Sequence, residues 1–229
     1  MSRLPFSPRT GLLLSTLLLA GCATGFSNEA ATRLRVAAVA EKAGQGDVAL
    51  SLYATAARQA PGDPEVQLRY ARALLANAQP AQAGAVLEEA LRRHPTHSLL
   101  QAEMARLRLS TGQAEEALAG YRAVLERAPG NIAALNGQGV ALDLLGRHDE
   151  AQRSYDAVVA IEPGHVAAAN NRALSLLLQG KAAPAAALLA TLDRPGGADR
   201  IRRNHEIARL AADGRGDDPD LRAIAAALK

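Results

Sequence analysis

The sequence has one cysteine and no tryptophan. A single thiol rules out a disulfide framework and any CxxC metal or redox pair. Four tyrosines and two phenylalanines bring aromatic content to only 3%, too little for a base-stacking platform or an aromatic-lined cofactor pocket. Lysine stands only at Lys42, Lys181 and Lys229. The motifs GxSxG, HExxH, GxGxxG and the P-loop are all missing, so neither an enzyme nor a cofactor, metal or small-molecule substrate is expected. Paired carboxylates at Glu88-Glu89 and Glu115-Glu116 diverge by about 100 degrees on a helix and read as solvated faces. His94 and His97, flanking Pro95, read as solvated loop residues, and His148 and His165 also fall between helices. The formal charge is +3, with 26 basic and 23 acidic residues. Arg3 and Arg9 belong to a leader expected to be removed, and the remainder is close to neutral, which excludes a broad field for nucleic acid. What remains, 48% hydrophobic and 21% charged, is the composition of a globular protein.

The first residues read as an address. Arg3 and Arg9 precede the apolar run Gly11 to Ala20, ten residues against the roughly 20 that a membrane-spanning helix needs. Leu19-Ala20-Gly21-Cys22 follows and resembles the lipobox of bacterial lipoproteins. That resemblance implies a signal peptide over 1–21, covalent lipid on Cys22 and a lipidated tether over 22–28. Ala23 after the cysteine, where inner-membrane retention typically uses aspartate, implies the periplasmic face of the outer membrane. Two or three acyl chains hold a protein durably, whereas one anchors only marginally.

A period of 34 residues governs the rest. Prolines stand at 61, 95, 129 and 163. Small residues recur at Ala37, Ala71, Ala105, Gly139 and Ala173, and again at Ala49, Ala83, Ala117, Ala151 and Ala185. Glycine falls at 44, 112, 146, 180 and 214, with Ala78 in the one gap, and tyrosine at 53, 121 and 155. In the unit 132–165, Asn131 suits an N-cap, and the leucine spacing predicts a first helix over Ile132 to Leu145. Gly146 turns the chain, a second helix runs to about Ile161, and Pro163 stops it. Gly139 and Ala151 are expected to face each other at the helix crossing, with Tyr155 filling the wider part.

This pattern resembles the tetratricopeptide repeat (TPR). The resemblance implies an all-α fold, a right-handed solenoid of antiparallel helix pairs. Five units are expected over 29–199, the first helix opening near Ser27-Asn28-Glu29. The fifth departs near Asp193-Arg194-Pro195-Gly196-Gly197. Capping helices are expected over 200–229: Arg200 to Ala212, then a last helix with Leu221, Ile224, Ala225 and Leu228 on one stripe, because a solenoid end needs cover.

In such repeats the fifth and ninth residues of each first helix are expected to point into a groove. The fifth positions read Leu34, Leu68, Ala102, Asn136, Asn170 and Asn204, and the ninth include Arg72, Arg106, Val140 and Leu174. The candidate groove residues are therefore Arg72, Arg106, Asn136, Asn170 and Asn204. A ladder of amides suits the main chain of an extended peptide, and equally suits hydrogen bonding to neighbouring helices that stiffens the array.

The segment Asn170 to Gly180, with Arg200-Ile201-Arg202-Arg203-Asn204, is similar to the TPR lipoproteins of tight-adherence (Tad, or Flp) pilus assembly, the TadD family. His205-Glu206 departs from that family's small or leucine residues. The resemblance implies a non-catalytic scaffold that binds a protein segment, a secretin or another pilus-assembly subunit. A type IV pilotin, a barrel-assembly lipoprotein or a TPR regulator of cell-wall enzymes shares the same architecture.

Overall fold

The structure, a computed structural model, describes residues 17–194 and 198–214, with side chains from Glu29 onward. The described residues form eleven helices and no strand, in two compact units, Met1–Pro95 and Thr96–Lys229. Unit 1 holds α1 (Leu17–Lys42), α2 (Gly46–Gln59), α3 (Pro64–Ala76) and α4 (Pro80–Arg93). Unit 2 holds α5 (Ser98–Ser110), α6 (Ala114–Arg127), α7 (Ile132–Leu144), α8 (His148–Ile161), α9 (Val166–Leu178), α10 (Ala182–Leu192) and α11 (Asp199–Ala212).

The period is written into the helix ends. Residues 63, 97, 131 and 165 each cap a first helix through a side-chain acceptor. Asp63 Oδ1 takes the amides of Glu65 and Val66, and Asn131 Oδ1 takes that of Ala134 at 2.9 Å. His97, expected as a solvated loop residue, and His165, expected between helices, cap helices in the same way. His97 Nδ1 accepts from Leu100 N at 3.4 Å and His165 Nδ1 from Ala168 N at 3.0 Å. Each first helix, α11 included, then closes through a left-handed residue, glycine at φ +72 to +79 after five of them and Ala78 at φ +55 after α3. The amide after the turn reaches back to the last helical turn, as from Arg147 N to Leu142 O at 2.8 Å.

Small residues form the spines between helices. In unit 1, Ala37, Ala49 and Ala73 close around Tyr53, whose hydroxyl donates to Glu41 Oε2 at 3.0 Å. In unit 2, Leu118, Ala141 and Ala151 surround Tyr155, the largest fully buried side chain. The residue against Gly139 is this tyrosine rather than Ala151: a Cβ added there would meet Cε1, Cζ and Cδ1 of the ring. Gly137 stands in the same way against Tyr121 of α6. A flat ring lies against helix backbone in both places, which only glycine permits.

Two boundaries differ from those expected. The helix α1 begins at Leu17, ten residues ahead of Ser27, so 22–28 are helical and advance about 1.5 Å per residue instead of extending. The stretch from Leu17 to Asn28 contains no proline, and a nucleated helix propagates through it readily. The second helix of the fifth unit, α10, has 11 residues where its counterparts have 14, and the frame resumes with α11. The last helix expected at Leu221 to Leu228 lies outside the described residues. No helix among the described residues is long and apolar enough to cross a membrane.

Candidate functional site

Within unit 2 the first helices form one layer: α5 touches α7, α7 touches α9 and α9 touches α11, while the second helices make no comparable contact. The closer layer is the inner one. On it, the asparagines do something other than line an open groove. Asn204 Nδ2 donates to Asn170 Oδ1 at 2.8 Å, Asn170 Nδ2 to Asn171 Oδ1 at 3.4 Å, and Asn171 Nδ2 to Asn136 Oδ1 at 3.1 Å. Four amides thus pass hydrogen bonds in one direction across α11, α9 and α7. Asn170 and Asn204 are only 1% and 2% exposed, and Asn136, half-buried, ends the file. The physical reason is the meeting of adjacent first helices at the fifth position, which Leu68 fills in unit 1 with no exposure at all. A buried amide is satisfied by a second amide one repeat away. Asn171, absent from the sequence candidates, carries the central link, and its place next to Asn170 is the only sequence signal of it.

The ninth positions also divide. Arg106 is exposed and holds the buried carboxylate of Glu103 through Nε at 2.8 Å. Arg72, in unit 1, is exposed. Val140 and Leu174 are half-buried, and one helical turn beyond them Leu144 and Leu178 are exposed large aliphatics.

A second polar cluster ties α7, α8 and α9 together. Asp143 Oδ1 accepts from Ser175 Oγ at 2.7 Å and lies 2.8 Å from His148 Nδ1, while Asp143 Oδ2 accepts from Tyr155 OH at 2.9 Å. The residue types are those of a hydrolytic triad, but the wiring is not. Ser175 is fully buried and donates its hydrogen bond to the aspartate instead of to a histidine. Burial and the Asp143 carboxylate push the Tyr155 phenol far above its ordinary value, and burial above all pushes Tyr121 to about 12. Among the described residues no group of His, Cys, Asp and Glu could hold a metal ion.

Family models described as tetratricopeptide repeat match residues 40–107, 74–139 and 145–199, which together span more than half of the chain. The chain is a tetratricopeptide-repeat protein. No curated protein matches it. Among solved structures, a thermophilic TPR protein of Thermus thermophilus is 22% identical, with a TM-score of 0.70, over 79% of this chain and 99% of that one. A TPR protein of Parabacteroides merdae gives the same TM-score at 17% identity, over 80% of this chain and 72% of that one. MamA of Desulfovibrio magneticus is 20% identical, with a TM-score of 0.60, over 71% and 92% of the two chains. At these identities the likeness shows the fold. The TPR architecture makes this chain a scaffold for protein–protein interaction.

Proposed function

We propose that this TPR protein is a lipoprotein that holds its repeats at the periplasmic face of the outer membrane. There it captures a segment of a secretin or another subunit during assembly of a Tad-type pilus, without chemical turnover. The observation that carries the reading is the position of the only thiol. Cys22 follows Leu19-Ala20-Gly21 directly, after a basic leader and a ten-residue apolar run, and the repeat frame opens a few residues later. Two or three acyl chains on Cys22, carried by its sulfur and its new amine, supply durable anchoring, since each buried methylene contributes about 0.8 kcal/mol. Confinement to the membrane raises the local concentration of anchor and partner alike, so a weak groove suffices. The pilus is favoured by the likeness of Asn170 to Gly180 and Arg200 to Asn204 to the TadD proteins.

The test joins acylation to partner capture. Cells making the wild-type chain or Cys22→Ser are labelled with radioactive palmitate, fractionated and crosslinked, and partners are read by mass spectrometry. Label and outer-membrane recovery in the wild type alone, with a secretin or Tad subunit attached, are expected. An unlabelled wild-type chain refutes the anchor. Capture of barrel-assembly or cell-wall enzymes refutes the pilus.

A further inference from the structure

Unit 1 carries an open groove of about 710 Å³ between α1 and α3, lined by the fifth-position Leu34 but by none of the five candidate groove residues. Its floor is aliphatic, with Leu34, Ala38 and Val39 of α1. Val39 breaks the rule of the repeat. One, three and four periods later, Ala73, Ala141 and Ser175 are buried, and each meets the unit before it: Ala73 clusters with Ala37 and Tyr53, Ala141 with Leu118, and Ser175 bonds to Asp143. Val39 is 68% exposed, and Val36 one turn away is 52% exposed. Branched aliphatic surface in a recess between two helices favours a partner that takes it out of water.

The rim decides the kind of partner. Arg35, Lys42 and Arg69 stand around the groove with one carboxylate, Glu65, which Arg69 Nε already holds at 2.9 Å. The nearby Glu41 carboxylate takes the Tyr53 hydroxyl. Arg35 reaches only the Thr32 hydroxyl, at 3.4 Å, and neither Arg35 nor Lys42 has an ion-pair partner among the described residues. The groove is therefore apolar below and cationic above.

We propose that this groove binds an acidic aliphatic protein segment, with leucine- or valine-like side chains against Val39, Ala38 and Leu34, and aspartate or glutamate beside Arg35 and Lys42. A carboxylate placed there meets two cations in a partly desolvated recess, where the effective dielectric constant falls below that of water. An anionic bilayer offers the same charge but presents a flat surface, and the aliphatic floor is recessed. The proposal rests on the reading of the chain as a binder of protein segments, and on neither the lipid nor the pilus.

The test uses the purified full chain and fluorescence anisotropy with three synthetic peptides of one aliphatic pattern, flanked by aspartate, asparagine or lysine. The aspartate peptide is expected to bind about tenfold more tightly than the asparagine peptide, with a preference that fades as salt rises. Val39→Asp is expected to weaken it by about tenfold, and Arg35→Glu with Lys42→Glu to move the preference to the lysine peptide. All three residues are exposed, so the melting curves stay unchanged. Leu178→Asp, an exposed site in unit 2, leaves binding as it was. Equal binding of the three peptides, or equal loss with Leu178→Asp, overturns the proposal. So does binding to phosphatidylglycerol vesicles that Val39→Asp weakens while no peptide binds. A partner crosslinked in cells with undiminished yield by Val39→Asp overturns this groove while leaving the scaffold reading intact.

Discussion

Replacing Gly139 with alanine sets two local effects against each other, and the structure gives their sizes. On its own the change removes a flexible residue from the interior of α7, which favours the helix by about 0.8–1.0 kcal/mol. The added Cβ, however, would stand 2.6 Å from Tyr155 Cζ and 2.9 Å from Cδ1. Carbon atoms rest at about 3.5–4.0 Å, so the ring must retreat by about 1 Å. It has little room, being buried to 1% exposure, and its hydroxyl is held at 2.9 Å by Asp143, which Ser175 and His148 hold in turn. Overpacking of this kind costs about 1–3 kcal/mol, and loosening a hydrogen bond to a charged group adds part of about 1.5–3 kcal/mol. The net expectation for Gly139→Ala is a loss of about 2 kcal/mol, read as a melting temperature about 4–8 °C lower for a chain of this length. Circular dichroism melts measure it. The second arm uses Tyr155→Leu as background, where the ring is gone and Gly139→Ala becomes neutral or stabilising. A rise in melting temperature for Gly139→Ala in the wild-type chain would refute the argument that the ring fixes this glycine.

Three further outcomes follow from particular residues. Ala78 holds φ +55 where the other units have glycine, so Ala78→Gly relieves about 1–2 kcal/mol of left-handed strain, gives back about 0.5–1 in backbone entropy, and raises the melting temperature slightly. Differential scanning calorimetry of the two chains measures it. Asn170→Ala strands the buried Asn204 amide and costs about 1–3 kcal/mol, whereas adding Asn204→Ala costs little more; strict additivity in denaturant titrations would break the amide file into independent residues. The folded chain keeps Tyr121 protonated up to about pH 12, above its ordinary 10, so its contribution is complete below pH 10 and is lost as pH rises through about 12. Melts taken upward from neutral pH show a decline across that window, and Tyr121→Phe makes the decline shallower.

The repeat frame was legible because its signals are local. Proline cannot continue a helix, a left-handed turn favours glycine, and Asn131 offers a short side-chain acceptor at a helix start. The capping by His97 and His165 was hidden. Histidine is not a preferred cap, and only the 34-residue spacing from Asp63 and Asn131 betrays it. The asparagines were legible as a ladder, with both a peptide and a neighbouring helix as partners for it. The hydrogen bonds of Asn204, Asn170, Asn171 and Asn136 to one another favour the second.

The sequence by itself determined the helix pairs, their turns, the small-residue spines and the position of the lone thiol, because each depends on residues within a turn or two or on a strict period. Only the tertiary structure decided which side chains those helices leave in the open. Val39 and Ala73 occupy the same place in their repeats, yet one is exposed and the other buried, since burial depends on whether another helix arrives from a distant part of the chain. The same rule separates Asn204, closed against Asn170, from the open cationic rim of Arg35 and Lys42.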